Sequence, residues 1–185
     1  VIEFDRWLVK LEPSNGVVVP GESQDVTLGL DTEYLTEGNY TAELHILSND
    51  PGYEDEVVNI SLTVAATRTI RIEPEPMEFG EQWIGAVPCD RFLRIYNDGN
   101  SDLTVSNIVT ESEGFSVDFN EEIVVEAFSV VNVPVHFDPS HDGETGGSIT
   151  ITSNDPDNVE TTIGLVGIGL DPPLLSVDTE LIEAN

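Results

Sequence analysis

Two stretches decide the fold: ILSNDPGYEDEVVNISLTV, from Ile46 to Val64, and ITSNDPDNVETTIGLVGIG, from Ile151 to Gly169. Each reads as a strand closed by Ser-Asn-Asp-Pro and followed by a second strand. Asn and Asp side chains bond the backbone locally, and the proline lacks the donor that a ladder needs. Asn49 and Asn154 lie 105 residues apart. That period is too long for a solenoid unit and suits one β-sandwich domain of ~100 residues. The chain therefore reads as an array of such domains.

The match extends backwards from there. QDVTLGLD at 24–31 corresponds to VVNVPVHFD at 130–138, Gly38 corresponds to Gly143, and DRWLVKLEP around Trp7 pairs with EGFSVDFNE around Phe115. On this alignment the first copy has nothing equivalent to residues 70–108. The expected domains are 1–66, the C-terminal part of a first module; 67–170, a complete second module; and 171–185, the start of a third module or a linker. The last assignment follows from DPPLLSVDTELIEAN, which resembles the IRIEPEPMEF that opens the second copy. The joints at Ala65–Arg68 and at Asp171, Pro172 and Pro173 are short and are not Gly/Ser linkers, which predicts a fairly stiff rod.

Segments such as FLRIYN, LTVSNIV, SVVNVPVHF and GSITITS are rich in Val, Ile, Thr and aromatics with period-two alternation, so the fold class is all-β, tandem antiparallel sandwiches. In SVVNVPVHF, Val131, Val133, Val135 and Phe137 share one face while Asn132, Pro134 and His136 share the other. Pro134 predicts an edge strand or a bulge. Asn97-Asp98-Gly99-Asn100 predicts a hairpin turn between RFLRIY and LTVSNI, with Gly and Asn supplying positive φ. The cores are expected around Trp7, Trp83, Phe92, Phe115, Phe128 and Phe137.

Acidic residues number 36 against 6 Lys plus Arg, a formal net charge of −30. Such a field repels polyanions, which excludes nucleic acid and an anionic membrane surface as partners. It reads as a solvated, self-repelling surface and leaves divalent cations and basic partners open. No run approaches the ~18 apolar residues of a transmembrane helix. Cys89 is the single cysteine, so no intrachain disulfide and no cysteine-based zinc site can form, and it reads as a small hydrophobe.

The RIYNDGNSDLTVSNI segment at 94–108, the MEFG at 77–80, the FDP at 137–139 and above all SITITSNDPDNVETTIGLVGIG at 148–169 resemble the bacterial ASH-type, Hydin-like immunoglobulin modules, also called choice-of-anchor D repeats. The resemblance covers nearly the whole chain. It implies a seven- to nine-stranded immunoglobulin-like sandwich, repeated in large exported proteins as spacer, adhesive stalk or accessory to a catalytic domain. It implies no conserved chemistry, and the acidity with the SNDP phrasing looks prokaryotic.

The sequence offers no GxSxG, no HExxH and three histidines, so no catalytic machinery and no enzyme is expected. Two clusters carry metal-binding residue types. His136, Asp138 and His141 lie in HFDPSHD without the spacing of a closed site. Asp98, Asn100 and Asp102 imitate the first half of a calcium loop, but its glycine position is Leu103 and its glutamate position Val109. The expectation is no cofactor, with calcium left open there and at the joints through Glu73, Glu75 or Asp171. His45 is read as a surface strand residue. Asn39 and Asn59 begin glycosylation-type triplets.

Three functions remain. The first is a non-catalytic structural or adhesive module, partnered by neighbouring modules of the same polypeptide or fibre, secreted or at the cell surface. The second is a binding module for protein or carbohydrate attached to a hydrolase, for which Tyr34, Tyr40, Tyr53 and Trp83 are the aromatic candidates. The third is a filament subunit that exchanges strands, its tail LLSVDTELIEAN filling a module that lacks its opening strands.

Overall fold

The computed structural model describes residues 7–176, and among them all regular structure is strand. The chain divides into two compact units, Val1–Arg68 with Gly99–Ser101, and Thr69–Asp98 with Asp102–Asn185.

In the first unit, β1 (Leu8–Glu12) pairs antiparallel with β2 (Thr27–Leu30), and β3 (Gly38–Leu47) pairs antiparallel with β4 (Asp55–Val64). Trp7 is buried and meets Tyr40 edge-on, with ring centroids 6.4 Å apart. Tyr40, Ala42 and Leu44 on β3 and Ile60, Leu62 and Val64 on β4 lie on the more covered face of their hairpin, as alternation requires.

The second unit is a sandwich of two sheets. Its strands are β5 (Ile70–Glu73), β6 (Met77–Trp83), β7 (Cys89–Asn97), β8 (Leu103–Val109), β9 (Phe115–Val117), β10 (Ile123–Val125), β11 (Val130–Phe137), β12 (Gly143–Ser153) and β13 (Glu160–Leu170). One sheet has the order β10-β8-β12-β13-β6 and the other β5-β7-β11-β9. All pairings are antiparallel except that of β6 with β13. Pro74 and Pro76 separate β5 from β6. Without N–H groups they cannot extend a ladder, and the chain crosses to the opposite sheet there.

Every one of these nine strands sends apolar residues into a shared core, from Ile70 and Ile72 on β5 to Ile163 and Leu165 on β13. Phe79, Phe115 and Phe137 meet at its centre, with Phe115 stacked on Phe137 at 4.8 Å and Phe79 tilted against both. Full burial of side chains of this size is worth roughly 1.5–3 kcal/mol each.

The repeated hairpin forms twice in the same register. Ala42 faces Ile60 and Leu44 faces Val58 in the first unit, and Gly147 faces Leu165 and Ile149 faces Ile163 in the second. The predicted face of β11 is also observed, with Val133, Val135 and Phe137 buried and Val131 packed against the core.

Three expectations are corrected. The turn at 97–100 does not close a hairpin, because β7 and β8 belong to opposite sheets. The turn residues mark a reversal, but each flanking strand finds its partners elsewhere: β7 with β5 and β11, β8 with β10 and β12. Gly99 is not among the positive-φ residues, and a Cβ there would collide with the carbonyl of Thr67. Close approach, not handedness, requires the glycine.

Pro134 is neither on an edge strand nor at a bulge, since β11 runs in continuous register between β7 and β9. Its carbonyl accepts from Asp118 N at 3.0 Å, so its nitrogen faces the same side, just past the last residue of the three-residue strand β9. The missing donor falls where that neighbour ends.

Of the six aromatic core candidates, Trp7, Phe115 and Phe137 are buried, whereas Trp83, Phe92 and Phe128 are exposed. Phe92 alternates with the buried Leu93 and Ile95 and so points outward. Met77 and Phe79 point inward, but a register shift at Gly80, whose φ is +75°, changes the phase of β6 and turns Trp83 out. Phe128 sits at φ 57° in the turn closed by Ser129 N to Glu126 O, outside any strand alternation.

Asp155 of the second Ser-Asn-Asp-Pro is only 1% exposed. Its Oδ2 accepts Ile70 N at 2.8 Å and Asn158 Nδ2 at 3.2 Å, and its Oδ1 accepts Asp157 N at 2.9 Å and Asn158 N at 3.2 Å. Burial pushes its pKa up, but the N–H of Ile70, followed by Asp157 and Asn158, outweighs burial and holds it below the ordinary carboxylate value. With a depressed folded pKa, this stabilisation is present above the unfolded value of ~3.9 and is lost as pH falls through the folded pKa. We expect Asp155→Ala to cost about 3 kcal/mol in urea unfolding at pH 7, because it strands Ile70 N. The difference between wild type and variant should shrink as pH falls from the unfolded value of ~3.9 through the depressed folded pKa. A loss under about 1 kcal/mol would contradict the assignment.

Candidate functional surface

Alternation places Arg71 and Glu73 of β5, Asp90, Phe92, Arg94 and Tyr96 of β7, and Asn132, Pro134 and His136 of β11 on the outer face of the four-stranded sheet. Register brings Arg71 opposite Tyr96, Glu73 opposite Arg94, Phe92 opposite Pro134 and Asp90 opposite His136. Two polar groups form on this face.

The first centres on Arg71. Its Nε lies 2.6 Å from Asp98 Oδ2 and its Nη1 2.7 Å from Glu73 Oε1, and the guanidinium stacks over the Tyr96 ring at 3.8 Å. Tyr96 donates to Glu73 at 3.2 Å, and Arg94 approaches the same carboxylate at 3.8 Å. The hydrogen bond to Asp98 outweighs desolvation and raises the Arg71 pKa.

The second is a carboxylate–imidazole–carboxylate row. His136 Nδ1 lies 2.7 Å from Asp90 Oδ1 across the strand pair, and Nε2 lies 3.2 Å from Asp118 Oδ2 just beyond β9. The ring is about three-quarters covered while both carboxylates are largely in solvent. The bond to Asp90 leads, joined by Asp118, and together they outweigh desolvation and raise the His136 pKa.

The metal candidates do not converge. Asp98 is taken by Arg71. Asn100 accepts from Thr67 N at 2.7 Å and Thr67 Oγ1 at 3.0 Å and donates to Ala65 O at 3.0 Å, while Asp102 is exposed. His136 is held by Asp90 and Asp118, not by the HFDPSHD cluster. Asp138 is exposed and donates its N–H to Gly114 O, and His141 Nδ1 lies 3.3 Å from the Asp142 carbonyl. Glu73 is engaged by arginines, Glu75 is exposed, and Asp171 N reaches Asp142 Oδ1 at 3.4 Å. Among the described residues no three His, Cys, Asp or Glu side chains are gathered to hold a metal ion.

Other candidates are placed as follows. His45 is on the surface of β3, 3.1 Å from Asp55. Cys89 packs against the core with its Sγ 3.8 Å from Phe79 O. Tyr34 and Tyr53 of the first unit are exposed, Tyr40 bonds Thr36 O, and Trp83 is exposed on the second unit. Asn39 and Asn59 are exposed on paired strands. A concavity over β3–β4 is lined by Thr41, Ala42, Glu43, Asn59, Ile60 and Ser61, none of them aromatic. Sequence reasoning missed Asp90 and Asp118 as partners of His136. Alternation puts the histidine on the outer face, but its neighbours come from strands whose register the sequence does not print.

No protein-family model and no curated protein matches the chain. Among solved structures it is similar to the ASH / PapD-like domain of human CEP192, with TM-score 0.48 and 13% identity over 56% of this chain and 87% of that one. It is also similar to a protein of unknown function from Porphyromonas gingivalis W83, with TM-score 0.48 and 15% identity over 91% and 82% of the two chains. A third is the secreted serine protease VesC from Vibrio cholerae, with TM-score 0.44 and 16% identity over 58% of this chain and 24% of that one. The first is of the ASH class that the sequence motifs resemble. No helix among the described residues is long and apolar enough to cross a membrane.

A folded His136 pKa above the unfolded value contributes stability that is complete below ~6.5 and is lost as pH rises through the folded pKa. We therefore expect the His136 ring protons to titrate in NMR with a midpoint above 6.5. His136→Gln should lower the thermal midpoint more at pH 5.5 than at pH 9, with both values chosen to bracket about 6.5. A midpoint below that of a free histidine would contradict the row.

Proposed function

We propose that this chain is a non-catalytic structural module of a larger secreted or cell-surface protein, in which repeated sandwiches act as a stiff spacer or stalk. The observation that carries this reading is the self-contained core of the second unit, to which all nine strands contribute. A domain that buries its own core can be repeated along a chain without a partner to complete it.

The outer face supports the same reading. Arg71 and Arg94 there are engaged by carboxylates of their own unit, and Arg91 donates to Asp90 O and Phe79 O. The surface spends its few cations on itself and leaves a negative, soluble exterior. On this reading the 105-residue repeat marks two copies of one module, and the short joint Ala65–Arg68 limits bending between them.

Small-angle scattering extrapolated to zero concentration tests the spacer. The expected radius of gyration stands well above the about 16 Å of a compact globule of this length, with no change on adding calcium. A compact radius, or one that calcium alters, would count against it.

A further inference from the structure

A neutral imidazole carries one N–H and one bare lone pair, whereas an ionised carboxylate only accepts. His136 meets a carboxylate at both ring nitrogens: Asp90 Oδ1 lies 2.7 Å from Nδ1 and Asp118 Oδ2 lies 3.2 Å from Nε2. These two acids, from β7 and from the segment after β9, are the charged groups that face the ring. The shorter contact takes the single proton of the neutral ring. Nε2 then turns its lone pair toward a carboxylate oxygen, and two acceptors stand face to face. At low pH a second proton resolves the conflict. Once that proton has left, another cation is needed between Nε2 and Asp118.

The backbone holds these groups in place. His136 lies on β11 opposite Asp90 of β7 and Ser116 of β9. The Asp118 N–H donates to Pro134 O at 3.0 Å, which anchors this acid to β11 two residues from the ring. The His136 side chain is 25% exposed and that of Asp118 61%, so the gap between them opens to solvent on the Asp118 side.

The spacing selects the kind of cation. Two ligands of a tetrahedral zinc ion, each at ~2.0–2.2 Å, stand about 3.3 Å apart, and Nε2 and Oδ2 are 3.2 Å apart. An imidazole nitrogen suits zinc, copper or nickel, whereas calcium and magnesium take oxygen ligands. Asp90 supports the ring from behind, because a carboxylate on the far N–H of a metal-bound histidine fixes its tautomer and raises its basicity. The net charge of −30 draws any dication toward the surface. Selectivity therefore comes from the nitrogen.

We propose that His136 Nε2 and the Asp118 carboxylate bind a divalent cation of the zinc class, with Asp90 as the positioning residue behind the ring. Two protein ligands make an open site whose other positions water fills, in keeping with the lack of a third gathered side chain among the described residues. The ion ties the segment after β9 to β11 at the edge of the four-stranded sheet.

The test titrates the full chain with zinc chloride at about pH 8, above the ~6.5 of a free histidine. Calorimetry and the imidazole 15N signals are followed together. A saturable site should appear, with the metal shift on Nε2 of His136 while Nδ1 keeps its proton. His136→Gln should abolish it, and Asp118→Asn and Asp90→Asn should each weaken it by about tenfold or more. His45, half exposed with Asp55 at 3.1 Å and Glu43 at 3.7 Å, is the control within the same chain, and His45→Gln should leave the site unchanged. An equal concentration of calcium should not displace the zinc. Zinc affinity that is the same in wild type and His136→Gln would overturn the proposal, since the acidic surface alone would then explain it. A metal shift on Nδ1, or displacement by calcium, would also overturn it.

Discussion

A sandwich must hold two sheets face to face, and apolar contact alone leaves the ends free to slide. In the second unit the carboxylate of Asp155, in the turn that joins two strands of one sheet, accepts the first N–H of β5 in the other sheet. Three further donors from its own turn keep it charged while buried. The first strand is thereby fixed in height against the five-stranded sheet, and Ile70 and Ile72 enter the core at set depths. The aromatic cluster of Phe79, Phe115 and Phe137 fills the space this spacing defines.

Much of the architecture was legible from alternation, because a half-buried strand declares its inner face residue by residue. β11 is the clear instance, and the buried Phe115 and Phe137 follow the same rule. Alternation fails at a phase change, which is why Trp83 was misplaced beyond the shift at Gly80. It says nothing of turns, where Phe128 sits. It names no partners, so an acceptable turn sequence between β7 and β8 passed for a hairpin although the strands lie in different sheets.

The polar surface was less legible for the same reason. HFDPSHD places His136 near Asp138 in sequence, whereas the imidazole is held by Asp90 and Asp118 from neighbouring strands. Asp98 and Asn100, two residues apart in the calcium-like loop, turn to Arg71 and to Thr67. Cross-strand register, set by distant apolar pairs, decides which charges meet. Asp155 shows the limit most plainly: its local turn bonds can be read from Ser-Asn-Asp-Pro, but its bond to Ile70 spans 85 residues.

The repeated hairpin carries a hazard as well as an architecture. β3 with β4 and β12 with β13 use one register, so while the chain folds, a strand from one copy can align with the complementary strand of the other. Like hairpins within one chain misfold by such crossed pairings, and the risk grows with their sequence likeness. The copies differ where crossed pairing would begin, with Gly52, Tyr53 and Glu54 in one turn and Asp157, Asn158 and Val159 at the same positions in the other. They also differ in strand interior, Leu62 answering to Gly167, whose Cβ position is occupied by the ring of Phe137. Divergence between the two hairpins thus acts as a proofreading device, keeping each strand with the partner translated beside it.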